Sequence, residues 1–344
     1  MKERILSLDL ARGFTVAFIT PIHCMLLFSS PAVHESWLGA IFKFIAEGPG
    51  AQLFMMLMGI SFVLNTHRNT GNVLTRSFQI LMLGYVLNFF KFGIPFLFGL
   101  VPGELLRYME VENDVTGFFQ LVLTGDILQL AGLSLFVLLV CRKLFAYRFL
   151  YFVLAVIICF VSPQLWDYTS DHFILNEVAQ LTGGQPPRVF FPLFPWLVYP
   201  VFGMYVGTLI KGGVKIKLPR LWKGTILITT IAMLIYYYFH SNNEGSFYRT
   251  SPSDTIFHLM VVMAWLYAWQ LISKWVPDNR LFELLRWLSK HITLIYFVQW
   301  LLIFWLLPLF GFQELNFWWS VLVMGLVTTN VWGLVYIINS IRGK

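Results

Sequence analysis

Apolar residues run through this chain in long blocks separated by short polar stretches, and the blocks are of the length a bilayer demands. A membrane-crossing helix needs about 20 largely apolar residues. Ten stretches approach or meet that requirement: 13–30, 49–66, 76–94, 118–141, 149–163, 190–210, 222–240, 254–273, 287–307 and 317–340. The fifth is short, and the third and fourth have soft edges. No fixed-period repeat, Gly/Ser-rich linker or low-complexity run interrupts the series. The pattern predicts an all-α, polytopic integral membrane bundle of about ten transmembrane helices, forming one domain over 1–344. The longer connections, 95–117 and 164–189, are where a short lid helix or an acceptor site is expected.

Charge placement orients the bundle. With the N-terminus inside and the spans alternating, 19 of the 24 Lys and Arg residues fall in inside segments. Only Lys43, Lys91, Arg107, Arg188 and Arg249 are then left outside. This asymmetry is what the positive-inside rule describes. An odd number of spans would destroy it, so both termini are expected on the cytoplasmic side. The net charge of +7 therefore faces cytoplasm and anionic headgroups, and nucleic acid is not an expected partner. Residues 1–32 read as a first span and not as a cleaved signal peptide, because the apolar stretch is long and contains His23.

Composition agrees. Hydrophobic residues make up 58% and charged residues 12%, against about 25% charged in soluble globular chains. Cys24, Cys141 and Cys159 lie in or beside apolar runs without metal-ligand spacing, and read as packing residues. No metal site is expected.

Ionisable groups inside spans are costly, and such positions usually serve function. His23 is the first. It lies eleven residues after Arg12, about 16 Å along a helix, which places it near mid-membrane and on the same face. Pro21 removes a backbone hydrogen bond between them. Asp9 and Arg12, three residues apart, can pair on the helix surface. His34 follows just beyond the outer end of the first span. Asp126 and Gln129 fall within the fourth span, His258 in the outer third of the eighth and Gln299 near the middle of the ninth. Phe191-Pro192-Leu193-Phe194-Pro195-Trp196 opens the sixth span, where prolines suit a helix start. No P-loop, dinucleotide fingerprint, HExxH or GxSxG motif occurs.

Several segments, taken together and in order, resemble one superfamily. Arg4-Ile5-Leu6-Ser7-Leu8-Asp9-Leu10-Ala11-Arg12-Gly13 resembles the opening of the transmembrane acyltransferases, which join the acyltransferase-3 proteins to the heparan-α-glucosaminide N-acetyltransferase family. Arg12 to His23 matches the Arg-(ten residues)-His spacing of the first branch. His34-Glu35-Ser36-Trp37-Leu38-Gly39 is similar to the His-x-x-Trp-x-Gly segment of the second, which carries that branch's proposed catalytic histidine. Phe54 to Phe62, Gly125 to Gln129, Phe191 to Trp196, Arg249-Thr250-Ser251-Pro252 and Leu288 to Tyr296 continue the resemblance to the second branch.

The resemblance implies an acetyl-CoA-dependent acyltransferase, with acyl-CoA on the cytoplasmic side and a carbohydrate acceptor on the outer side. Arg12, Arg68 and Arg76 can pair with CoA phosphates, because guanidinium recognises phosphate bidentately. His34 or His23 is the expected general base, since imidazole titrates near neutrality, with Asp126 as an orienting carboxylate. A covalent acyl-histidine is a second route. Gln129, Trp196, Arg249, His258 and Gln299 are the expected substrate contacts. The other partners are membrane lipids, and the bundle class allows a homodimer. The lack of organelle-targeting features points to a bacterial inner membrane. Two other readings also place polar groups in a membrane: a transporter, against which the lack of a repeat counts, and a non-catalytic protein that binds envelope glycans.

Overall fold

The computed structural model describes residues 5–65, 69–212 and 247–342. Its named elements are all helices. α1 (Leu6–Phe28) runs unbroken through Pro21 and ends where Ser29 turns extended. A single turn, α2 (Pro31–His34), starts on a proline whose missing N–H costs nothing there. Ser36 then caps α3 (Trp37–Glu47), its hydroxyl oxygen accepting from the Gly39 N–H. α4 (Ala51–Leu64) and α5 (Thr70–Asn88) follow. A π-helical segment, Phe89–Gly93, joins α5 to α6 (Ile94–Leu97). Beyond it lie α7 (Gly103–Tyr108), α8 (Val115–Leu123), α9 (Ile127–Leu144) and α10 (Phe149–Val161), the last continued by a 3₁₀ turn to Leu165. α11 (Phe173–Gly183), α12 (Leu193–Trp196) and α13 (Val198–Lys211) come next. α14 (Pro252–Trp275), α15 (Arg280–Phe310) and α16 (Phe317–Arg342) complete the described chain.

Among the described residues, eight stretches are long and apolar enough to cross a membrane: Leu6–Phe28, Trp37–Leu64, Thr70–Leu97, Ile127–Leu144, Leu193–Lys211, Pro252–Trp275, Arg280–Phe310 and Phe317–Arg342. The expected span 222–240 lies outside the described residues. The expected span 149–163 is α10. One detail departs from the sequence reading: the stretch 118–141 is not one helix, because the chain is extended at Asp126 between α8 and α9. Lys91, near the end of the expected span 76–94, sits in the π segment and is 3% exposed.

The chain divides into two compact units, one of residues 1–50, 86–123 and 265–344, the other of 51–85 and 124–264. In the first unit α1 and α15 pack in parallel. Asp9 meets Ser289 (3.3 Å), Thr20 meets Gln299 and Phe28 meets Phe310. The approach is close enough that a Cβ on Gly13 would overlap the Leu285 carbonyl. α16 runs the other way, starting beside Ser29 and Trp37.

In the second unit the tightest pair is α4 with α13. A Cβ on Gly59 would overlap the Pro200 carbonyl, and one on Gly203 the Met56 carbonyl. Small residues that let backbones touch are the usual adhesive between helices in lipid, where hydrophobic burial gives no drive. These contacts make α4 and α13 parallel. α5 is antiparallel to α9, with Ser77 bonded to the Gly132 carbonyl (2.6 Å) and Gly84 against Gln129. α10 runs the length of the unit: Tyr151 lies near Arg142 and Lys211 at one end, and Trp166 bonds the Phe194 carbonyl (3.2 Å) at the other. Its α-helical residues and 3₁₀ turn together reach about 28 Å. The tighter final turn thus gives a short apolar stretch nearly the depth of a bilayer core.

Candidate functional site

The first unit gathers a polar cluster on the face of α1 that meets α15. Thr20 Oγ1 donates to Gln299 Oε1 (2.7 Å). With the amide in this orientation, Gln299 Nε2 donates to His23 Nδ1 (2.9 Å). A nitrogen that accepts cannot carry the proton, and the neutral His23 ring is therefore protonated at Nε2. The ring stacks on Trp300 (centroids 4.2 Å apart) and meets Tyr296 edge-on at 6.2 Å. Gln299 and Thr20 are fully buried. Gln299, expected as a substrate contact, is here bonded to the His23 ring.

His34 is held differently. Its Nε2 lies 2.9 Å from the Met25 carbonyl oxygen. A carbonyl can only accept, so here too Nε2 carries the proton, and Nδ1 bears the basic lone pair. Backbone packing sets the approach: a Cβ on Gly39 would overlap the His34 carbonyl, so the loop folds back tightly between α2 and α3. Met25 is two positions from His23, so His34 is anchored to the same turn of α1 that carries His23. Arg12 stands 4.0 Å from Asp9, which also accepts from Ser289.

The remaining expected positions lie in the second unit. Asp126 is the N-cap of α9, its carboxylate accepting from the Ile127 N–H (2.7 Å), while Gln129 Oε1 accepts from the Asp126 N–H (3.2 Å). This is a capping box, and it explains the break in the expected fourth span. Gln129 Nε2 also reaches the Thr124 carbonyl (3.4 Å). Asp126→Ala should therefore lower stability by about 1 kcal/mol, and Asp126→Asn should restore it, as thermal unfolding would show.

Trp196 is fully buried, donates to the Tyr248 carbonyl (2.9 Å) and packs among Phe191, Phe247 and Tyr248. Arg249 ties its own loop to two other stretches: it donates to the Gly183 and Gly184 carbonyls and to Gln185 (3.1 Å), and to Asp167 (2.7 Å). His258 is buried, with Nδ1 3.3 Å from the Tyr199 hydroxyl. Arg76 is exposed on α5, and Arg68 lies outside the described residues.

One feature of the second unit escaped the sequence reading. A cavity of about 830 Å³ opens where α4, α9 and α13 end and α5 and α10 begin. Arg142 and Lys211 line it, with Phe62, Tyr151, Asn69 and Thr70. The Arg142 guanidinium lies 4.7 Å over the Phe62 ring, and Asn69 caps α5 through the Asn72 N–H (2.8 Å). Two cations, a helix N-terminus and aromatic faces suit a phosphate-bearing nucleotide. Arg12 and Arg76 do not line it. The available signal was positional, since Arg142 and Lys211 each sit in the last turn of an apolar helix. Among the described residues, no cluster of three His, Cys, Asp or Glu side chains could hold a metal ion.

Comparison with known proteins agrees with the sequence resemblance. A family model described as heparan-alpha-glucosaminide N-acetyltransferase, catalytic, matches residues 4–242. No curated protein and no solved structure matches the chain. The matched stretch takes in α1, both histidines, the cavity-lining residues and the capping box of α9, and the chain belongs to the heparan-alpha-glucosaminide N-acetyltransferase catalytic-domain family.

Proposed function

We propose that this protein is a membrane acetyltransferase that takes an acetyl group from acetyl-CoA on the cytoplasmic side and delivers it to a hydroxyl or amine of a carbohydrate on the outer side. The observation that carries the reading is His34. Its bond to the Met25 carbonyl holds Nε2–H inward and leaves Nδ1 as the basic atom, at the end of α1 away from Arg12. The charge pattern supports the same orientation. Arg142, Lys143 and Lys211 gather at one end of the second unit, and Arg12, Arg280, Arg286 and Lys290 lie toward the N-terminal ends of parallel α1 and α15, as cytoplasmic ends do.

The thioester supplies an activated acetyl group. His34 Nδ1 takes the proton of the acceptor as its oxygen or nitrogen attacks the acetyl carbonyl carbon. The C–S bond breaks, and the sulfur leaves with the proton returned by His34. His23 serves the same reaction as a donor: Gln299 holds its Nδ1 and leaves Nε2–H for an acyl or acceptor oxygen. Within the second unit, Arg142 and Lys211 offer the charge that phosphates of acetyl-CoA need.

Arg142→Gln and Lys211→Gln should each weaken acetyl-CoA binding by about tenfold, in line with losing one charge-assisted hydrogen bond. Titration of labelled acetyl-CoA onto purified protein checks this. Unchanged affinity in both variants would remove the cavity from the donor site.

A further inference from the structure

Lys91 is buried in an apolar span, and the family chemistry does not account for it. Its position has a local cause. Pro95 cannot donate to the carbonyl four residues back, which is that of Lys91, and its ring crowds that carbonyl. The helix responds by widening: the Ile94 N–H reaches the Phe89 carbonyl, five residues back, over Phe89–Gly93. Single π turns of this kind recur at functional sites.

The widened turn is fastened to α15. Trp305 Nε1 donates to the Phe90 carbonyl (3.1 Å), and Phe92 meets Phe304 edge-on at 4.5 Å. Lys91 Nζ then lies 4.6 Å from the Phe92 ring centroid, 4.7 Å from Trp300 and 5.6 Å from Phe304. Trp300 is the ring on which His23 stacks. One indole thus touches both a membrane-buried lysine and the imidazole, and Gln299, its neighbour on α15, holds that imidazole by Nδ1. A cation over a desolvated indole is a strong contact, and it fixes the plane of the ring it covers.

We propose that Lys91 is a positioning residue for His23: acting through Trp300, it holds the imidazole in the orientation that Gln299 sets. The proposal rests on the reading that His23 serves the transfer. It predicts that the clamp, once broken, frees the His23 ring while leaving His34 untouched.

The test is carbethoxylation of the full-length protein by diethyl pyrocarbonate, followed at each histidine by peptide mass, for wild type, Lys91→Met, Lys91→Arg and Trp300→Leu. His23 should react about fivefold faster or more in Lys91→Met and Trp300→Leu, and at the wild-type rate in Lys91→Arg, which keeps the cation over the ring. His34 should react equally in all four, which also reports an intact fold. Acetyl transfer should fall about tenfold in kcat in Lys91→Met, with KM for acetyl-CoA unchanged. The Lys91→Met/Trp300→Leu double variant should be no slower than Trp300→Leu alone. An unchanged His23 rate in Lys91→Met with His34 unaltered overturns the clamp. Should Lys91→Met not fold, Trp300→Leu decides the same point. If His23→Ala leaves transfer intact, the reading of His23 fails, and the clamp is judged by the modification rates alone.

Discussion

Replacing His34 with glutamine should leave the protein folded and reduce acetyl transfer by about a thousandfold, the scale of a lost general base. Glutamine is the informative substitution because its amide N–H reaches about as far as an imidazole Nε2–H. It can keep the bond to the Met25 carbonyl that His34 makes at 2.9 Å. What it lacks is the lone pair at Nδ1. A purely structural histidine would tolerate the change, since the Met25 carbonyl also accepts from the Ser29 N–H and the loop contact survives. Labelled-acetyl transfer, with Tm and acetyl-CoA affinity measured on the same preparations, separates the cases. Full activity in His34→Gln would show that His34 only anchors the loop.

The largest loss of stability should come from the pair α4 and α13. Gly59→Val and Gly203→Val each drive a side chain into a partner backbone, at the Pro200 and Met56 carbonyls respectively. Flexible neighbours can make room for an added methyl group, but main-chain carbonyls in a packed helix cannot. Overpacking of ordinary cores costs about 1–3 kcal/mol, and here the cost should reach or exceed that upper figure. Gly333→Val is the matched control: a Cβ there meets nothing within 4 Å. Thermal unfolding in detergent should show a large fall in Tm for the first two and little change for the third. Similar Tm values for all three would mean that α4 and α13 do not pack as closely as described.

How much of this could be read in the sequence depends on the kind of feature. The spans were legible because lipid imposes one rule on every crossing helix, a sustained apolar run. The boundary at Asp126 was misread for a local reason. Asp126 and Gln129 stand three apart, the spacing of a capping box, but the apolar flanks on both sides masked the break. The burial of Lys91 was not legible, because a lysine near the end of an apolar block gives no sign of the wider turn that precedes Pro95. The pairing of His23 with Gln299 spans 276 positions, and no local pattern carries such a contact. His34 was singled out by the His-x-x-Trp-x-Gly segment, but the assignment of its basic nitrogen needed the Met25 carbonyl. Arg142 and Lys211 looked like ordinary cytoplasmic charges until the cavity set them on one wall.

The most direct test of the central claim uses proteoliposomes in which the acyl donor and the acceptors are kept on opposite sides of the bilayer. Labelled acetyl-CoA is supplied to the face bearing Arg142 and Lys211, a panel of amino and neutral sugars is enclosed on the other, and both CoA release and label on the sugars are followed. CoA release should depend on an enclosed acceptor, with the label appearing on that acceptor and lost in His34→Gln. Failure of the wild-type protein to bind acetyl-CoA, or to release CoA with any acceptor of the panel, would contradict the claim.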